Sequence, residues 1–597
     1  MPRLSHLPGV MAAAGLVAVL AAFANDFYAR ILFMMGVNYI AAAGLNILVG
    51  YAGQKSLGHA GLFGVGAYTV ALATTQWGLD PWTALAAACV MGGLFGLVIA
   101  APAVHVSGPS LAMVTIGFGI VVEKVVTEWT DVFGGQAGIY GIVAPTIGGR
   151  ALSSREWVWF IVILAVLTHL ALRSLLLGRW GRAFQAVQFA EPAAEAAGIS
   201  PRRLKTLAFV ISAVTCALAG AIVAMQNQYI NSDFVNFNLS IFLLVLVLFG
   251  GSGAIYGPLL GAIAVTAIGA WVARWPALEH FVYGALLLFA LFAMPRGLAG
   301  VMEALGDRLG FGHRKEIVPP PAVPPSNAMA VAVAGDGAPL LEADDLFKAY
   351  GGVIPTRHVS FTIGRGSIHS LIGPNGAGKT TLLNILSGHV HADSGSIRFA
   401  GRNLTKLSAD RVAALGIART FQNLRLFGNM SVVDTVLVGA HRHIRSNVFS
   451  ALLGTPGNRA AERDARARVD ALLAEFNLAD RASDPAATLP YGLQRRVEIA
   501  RALAAEPTLL LLDEPAAGLN HQETAALGTL LRKISQLGVT ILLIEHHMDL
   551  VMSVSKHVIV LDYGEKIAEG TPDAIRRNPT VIAAYLGAEE TDLQLAR

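Results

Sequence analysis

The sequence predicts a two-part chain, an α-helical polytopic membrane domain of about eight to ten spans followed by a soluble α/β domain. Three observations carry this. Overall 14% of the 597 residues are charged, yet between Ile31 and Val122 the only Asp, Glu, Lys or Arg residues are Lys55 and Asp80. Apolar runs approaching the roughly 20 residues needed to cross a bilayer recur through the first half. From Leu340 onward, short apolar strands alternate with Gly and Pro turns and with helices, at an ordinary density of charge. The expected division is 1–315 for the membrane domain, 316–339 for a linker and 340–597 for the soluble domain.

The spans fall near 9–24, 31–50, 58–76, 82–101, 109–126, 157–177, 206–225, 240–250, 257–273 and 281–294. The first is read as a membrane helix because no small-residue cleavage site precedes Asn25 and Asp26. Several spans are short or Gly-rich, which fits broken or re-entrant helices. Gly92, Gly93 and Gly96 have the spacing that lets helices pack closely in lipid, or reflect a plain bias towards small residues. Cys89 and Cys216 sit in apolar runs, so no disulfide framework is implied.

Orientation follows from the loops. Arg173, Arg179, Arg182, Arg202, Arg203 and Lys205 crowd residues 173–205, which the positive-inside rule places in the cytoplasm. Four further crossings return the chain to that side at Arg296, Arg314 and Lys315, where the soluble domain begins. The net charge of +4 is modest and forms no basic stripe, so no nucleic-acid partner is expected; the membrane partner is lipid. Within the basic loop, residues 181–199 read as a short helix across the membrane face, stopped at Gly198 and followed by Pro201. Lys55 lies in a polar, Gly-rich break, Gly50 to His59, between apolar runs. An unpaired lysine at mid-membrane costs on the order of 3 kcal/mol, so this segment either lines a water-filled path or lets Lys55 snorkel to an interface. The Pro-rich linker, with Pro319 to Pro321, Pro324 and Pro325, reads as a semi-extended spacer.

The soluble half carries chemistry. The strand Ser370–Ile372 runs into Gly373-Pro374-Asn375-Gly376-Ala377-Gly378-Lys379-Thr380, and Thr381 to Leu386 reads as a helix. This is a phosphate-binding loop in its strand–loop–helix context. Its glycines let backbone N–H groups curl around phosphates at a helix N-terminus. Lys379 supplies a positive charge and Thr380 a hydroxyl for Mg²⁺, so ATP and Mg²⁺ are the expected cofactors. A second strand, Thr508–Leu512, ends in Asp513 and Glu514. Asp513 is placed to hold Mg²⁺ through water, and Glu514 to act as general base.

With these motifs the soluble half resembles the ATP-binding cassette ATPases, and the resemblance implies further roles. Tyr350 matches the aromatic that stacks on adenine, and Gln422 the glutamine that contacts Mg²⁺ and water and senses the permease. Leu489-Pro490-Tyr491-Gly492-Leu493-Gln494 occupies the signature position, Ala517 to Asn520 the following loop, and His546 the histidine that contacts the γ-phosphate. Pro490 stands where that family commonly has Ser, and Tyr491 where it has Gly. One phosphate donor is thereby lost, which implies a weakened site on the facing ATPase. Glu195-Ala196-Ala197-Gly198 resembles the cytoplasmic coupling helix by which importers of this class engage their ATPase.

Within the class, both halves are similar to the hydrophobic and branched-chain amino acid importers. Gly50 to Gln54 with Ser56 to His59, Val106 to Pro109, Gly250 to Gly253, Met294 to Gly297, Thr420 to Asn423 and Asp513 to Asn520 carry that likeness. Lys55, Ser110 and His547 depart from the usual residues, the first two in the region of the presumed path. The resemblance implies ATP-driven import of a small solute at a bacterial inner membrane, with the ATPase in the cytoplasm. Leucine, isoleucine and valine come first, with urea, short amides or aromatic acids as alternatives and an exporter half-transporter as the lesser one. Its implied partners are a second permease and a second ATPase (or a second copy of this chain) and an extracytoplasmic solute-binding protein. The polar stretch Gln226 to Asn238, outside by the loop argument, is the expected docking surface for the last.

Overall fold

The computed structural model describes residues 15, 17, 25–308, 339–428 and 430–586. The expected first span, apart from two residues, and the linker to residue 338 lie outside the described residues, as do Arg314 and Lys315. The chain forms two compact units. One comprises 1–188, 202–316 and 447–455, and the other 189–201, 317–446 and 456–597. Two short segments therefore group across the boundary that the sequence suggests.

In the first unit, α1 (Asp26–Asn46) starts on Asn25, whose side chain accepts from the Tyr28 N–H, and ends in a π-helical turn, Ile47–Tyr51. It is followed by α2 (His59–Thr75), α3 (Pro81–Ala103), α4 (Pro109–Glu128) and α5 (Ser154–Leu176). Asp80 caps α3 with Pro81 in the first turn, and Ser153 and Glu156 form a capping box on α5. The helices α6 (Arg179–Phe189), α7 (Glu191–Ala196) and α8 (Pro201–Asn227) come next. The shorter α9 (Phe237–Gly250), α10 (Gly257–Val272), α11 (Glu279–Ala293) and α12 (Gly297–Arg308) complete the series.

Among the described residues, five helices are long and apolar enough to cross a membrane: Asp26–Tyr51, α3, α4, α5 and α8. In α1 and α8 72% of the apolar window is buried within the protein, against 22 to 33% in α3, α4 and α5. The first two form the centre of the unit, and the other three offer their surfaces to lipid. Close packing on α8 explains two of the three glycines in α3. A methyl group on Gly92 or Gly96 would come within 2.5 Å of Ala217 or 2.7 Å of Ala213, whereas one on Gly93 would only touch Val214 at 3.5 Å.

The expected break after α1 is present, and several of its polar groups are paired within the protein, as irregular backbone at membrane depth requires, while Gln54 Oε1 is buried with no hydrogen-bond partner among the described residues. Asn46 donates to the Ala254 carbonyl (3.0 Å) and accepts from the Gly253 N–H (2.8 Å), tying this break to a second one between α9 and α10. His59 bridges Ser56 (3.2 Å) and Ser212 (2.7 Å), and the Leu57 N–H donates to Thr115 (3.0 Å). Lys55 is exposed within this loop. Outside the helices, Ile139–Tyr140 pairs with Tyr229–Ile230.

The second unit is built on two sheets. β1 (Leu341–Tyr350), β2 (Val353–Ile363) and β4 (Ser394–Phe399) make an antiparallel sheet, extended at its edge by Arg402–Asn403. The main sheet runs β5 (Ile417–Arg419), β6 (Leu509–Asp513), β7 (Thr540–Ile544), β3 (Ile368–Ile372), β8 (His557–Asp562) and β9 (Glu565–Gly570). It is parallel except for β9. β3, β6 and β7 are buried at every position; β6 and β7 accordingly carry runs of four apolar residues, whereas β3 also buries His369 and Ser370. Their carboxyl ends lie side by side, where parallel α/β sheets place ligands.

The helix expected across residues 181–199 is two helices, parted at Ala190. Pro192, in the first turn of α7, lacks an N–H and cannot continue α6. α7 groups with the second unit and packs on α14 (Ala409–Ala414), which follows α13 (Lys379–Leu386) in the chain. His389 Nε2 lies 3.4 Å from the Pro192 carbonyl and 4.0 Å from Glu195. Ala197 is the last cap of α7, and Gly198 then turns the chain at φ +78°.

Candidate functional site: a nucleotide cradle at the sheet edge

The phosphate loop leaves β3 at Gly373 and enters α13 at Lys379. Gly376 and Gly378 sit at φ +85° and +93°, in the left-handed region that glycine enters without strain. A methyl group on Gly378 would drive into the Pro355 carbonyl, whereas one on Gly376 would meet nothing within 4 Å. The loop is therefore close against protein on one side and open on the other. Pro374 and Asn375 form its rim, and Ala377 is buried beneath it. Lys379 Nζ curls back to the carbonyls of Gly373 (2.7 Å) and Pro374 (2.9 Å). Burial pulls its pKa down, and the charges of Glu514 and Asp513 oppose this. Thr380 is exposed and Thr381 half-buried, both in the first turn of α13.

Asp513 ends β6, and Glu514 follows at φ +47° with its N–H bonded to the Ile544 carbonyl (2.9 Å). A non-glycine residue there stores local strain of roughly 1–3 kcal/mol, of the kind that collects at working sites. The Glu514 carboxylate is held from two sides. Gln422 Nε2 donates to Oε2 at 2.8 Å, and His546 Nε2 is bonded to Oε1. Thus three residues distant in sequence meet at one carboxylate.

Asp513 is engaged on one oxygen only. Arg419 Nη2 reaches Oδ2 at 3.3 Å, while Oδ1 is buried with no hydrogen-bond partner among the described residues. Burial raises the Asp513 pKa, and Arg419 opposes the rise. An orphaned acidic oxygen beside a phosphate loop is what a hydrated Mg²⁺ would satisfy. The open, amide-rich loop and this oxygen together fit a nucleotide with its metal. Tyr350, at the end of β1, is half exposed, with Lys348 Nζ 5.2 Å from its ring centroid.

In the signature segment, Leu489 is buried, Pro490 caps α15 (Tyr491–Leu503), and Gly492 falls in the first turn. Gln494 folds back onto the carbonyls of Ala487 (3.0 Å) and Leu489 (2.7 Å), while Leu493 packs on the core. Asn520 caps the next helix, α16 (His521–Gln536), in a capping box with Glu523.

Several residues of consequence escaped sequence reasoning. Arg495, Glu498 and Arg501 are buried on one face of α15, with Arg495 to Glu498 at 2.7 Å and Arg501 to Glu498 at 3.6 Å. They clamp the backbone around Gln422. Arg495 donates to the carbonyls of Phe421 (2.8 Å) and Gln422 (2.9 Å), Glu498 accepts from the Phe421 N–H (3.1 Å), and Arg501 donates to the Arg425 carbonyl (2.7 Å). The three-residue spacing of Arg, Glu and Arg was the available signal. Glu545 is also buried and fixes the loop after Glu514 by accepting from the N–H groups of Ala516 (2.6 Å) and His546 (3.0 Å).

A phosphate loop, an acidic pair at a strand end and a glutamine–histidine grip, in a chain whose described residues also carry five membrane-length helices, define an ABC transporter subunit with permease and ATPase in one polypeptide. The permease-component family of branched-chain amino acid transport systems matches residues 27–291. The ABC transporter family matches 356–517, and the branched-chain amino acid ATP-binding cassette transporter family 565–591. The ATPase half is 46% identical over 250 residues to the high-affinity branched-chain amino acid transport ATP-binding protein BraF of Pseudomonas aeruginosa. That alignment covers 42% of this chain and 98% of BraF. LivG of Escherichia coli is 43% identical over the same share of each chain. The chain belongs to the branched-chain amino acid ABC transporter family. Its membrane helices and ATPase make it a polytopic protein of the inner membrane with the ATPase in the cytoplasm.

Proposed function

We propose that the chain imports branched-chain amino acids, using ATP hydrolysis at its own phosphate loop to drive its own permease half. The grip of Gln422 and His546 on Glu514, beside an open phosphate loop, carries the catalytic part of this reading. The permease match and the relatives that bear branched-chain names support the substrate class. ATP with Mg²⁺, when bound, supplies a γ-phosphoryl group for transfer to water.

The chain's own residues divide the remaining work. The amides around Gly376 and Gly378 and the Lys379 ammonium give a positive cradle, and Lys379 exchanges its two carbonyl partners for phosphate oxygens. Asp513 Oδ1, through water, and the hydroxyl of Thr380 would hold the metal, with Gln422 as a third contact. Glu514 takes the proton of the attacking water, oriented by Gln422 and His546. Tyr350 stacks on the adenine. Leu489 to Gln494 serve the nucleotide of a facing ATPase, and Glu195 to Gly198 couple the ATPase to the permease. A second permease, a second ATPase and an extracytoplasmic solute-binding protein complete the working assembly.

The test is direct. The assembled transporter in proteoliposomes, with Mg²⁺-ATP on the ATPase side only, should accumulate labelled leucine in the ATPase-side compartment. Movement of leucine in the opposite sense would overturn import.

A further inference from the structure

The first unit contains a cavity of about 610 Å³ at the outer end of α1, within the range of small-molecule sites. Arg30, Met34 and Asn38 line it from one stripe of α1, four residues apart. That stripe runs about 12 Å along the helix. Arg30 lies nearest the start of α1, which the loop charges place on the extracytoplasmic side. Asp233 lines the same cavity from the turn between α8 and α9. Deeper in, Met34, Leu239 and Phe242 give an apolar wall. The Asn38 side chain there donates to Thr266 at 2.9 Å, which closes that polar pair on itself.

Charge placement identifies the ligand. Among the described residues neither Arg30 nor Asp233 forms an ion pair. Arg30 makes only a 3.3 Å bond to Asn227, and Asp233 accepts from Asn231 at 3.0 Å. Each keeps capacity for a further charged partner. A guanidinium and a carboxylate at the mouth of an apolar cavity match the carboxylate and ammonium of one α-amino acid, with its side chain directed inward.

We infer that this cavity is an extracytoplasmic-facing site for a zwitterionic amino acid with an apolar side chain. Arg30 binds its carboxylate, Asp233 its ammonium, and Met34, Leu239 and Phe242 its side chain. The site is where the permease receives its cargo, and this rests on the import reading above.

Uptake by the assembled transporter in proteoliposomes tests it. Arg30→Gln and Asp233→Asn should each raise the KM for leucine at least about tenfold, the loss of one charge-assisted contact, and leave basal ATP hydrolysis unchanged. Two analogues assign each charge. 4-Methylpentanoate is leucine without the ammonium, and 3-methylbutylamine is leucine without the carboxylate. Asp233→Asn should lose the wild-type preference for leucine over 4-methylpentanoate, and Arg30→Gln the preference over the amine. Met34→Ala provides a variant with no charge altered, and should weaken leucine more than alanine. Leucine uptake with wild-type KM and wild-type analogue preferences in the charge variants would overturn the site while import stands. Wild-type protein that moves no leucine would overturn both.

Discussion

The guanidinium of Arg495 donates to the backbone carbonyl of Gln422 at 2.9 Å while also meeting the Tyr491 hydroxyl at 3.1 Å. One buried side chain thus joins the signature segment to the residue that grips Glu514. The Tyr491 hydroxyl is thereby bonded to that link.

Arg495→Met should separate the two segments. It leaves Glu498 with half its ionic partners and two carbonyls unsatisfied, a class of change that costs roughly 3–5 kcal/mol. Thermal unfolding of the detergent-solubilised chain measures the loss. Tyr491→Phe removes only a hydroxyl at a partly exposed site and should cost under about 1 kcal/mol. Equal effects from the two variants would refute the assignment of Arg495 as the link.

Glu514→Gln should lower ATP hydrolysis by about 10²- to 10⁴-fold while ATP binding persists, because the amide cannot accept the water's proton. Hydrolysis by inorganic phosphate release, paired with binding of a fluorescent ATP analogue, separates the two. Turnover within a factor of about three of wild type would remove Glu514 as the base.

Pro490→Ser returns a hydroxyl donor to the signature segment. If the facing nucleotide site is weakened by its loss, the assembled transporter should turn over up to about tenfold faster, the worth of one hydrogen bond. An unchanged rate would show that the proline form is complete as it stands.

His389 gives the pH dependence. Burial pushes its pKa down to about 4, the positive charges of Arg419 and Arg425 assist, and bonds to Pro192 and Ser387 oppose. The folded state therefore prefers the neutral ring. Its full stability is present above the unfolded value near 6.5 and is lost as pH falls from there towards 4. At pH 5 the penalty is about 2 kcal/mol. His389→Gln should flatten the fall in melting temperature between pH 7 and pH 5, and an equal fall in both proteins would contradict the assignment.

The phosphate loop, the acidic pair and the break after α1 were legible because each is local. Glycine at fixed spacing, a strand ending in two acids and a polar gap in an apolar run all show along the chain. The Gln422–Glu514–His546 meeting was legible only through family resemblance, since it depends on strand order. The Arg419–Asp513 and Arg495–Glu498 pairs were hidden for another reason. Buried charges read as surface until packing reveals their partners. The split of residues 181–199 at Ala190 was within reach from Pro192. The cavity at Arg30 and Asp233 was not, because it gathers residues from α1, α9, α10 and the turn after α8.

The central claim is ATP-driven inward movement of a branched-chain amino acid, and labelled leucine uptake tests it most directly. Cells expressing this chain with its neighbouring transport genes should take up leucine. Glu514→Gln should abolish that uptake, and excess urea, acetamide or benzoate should not compete. Uptake suppressed by one of those competitors, or surviving in the Glu514→Gln variant, would contradict the account.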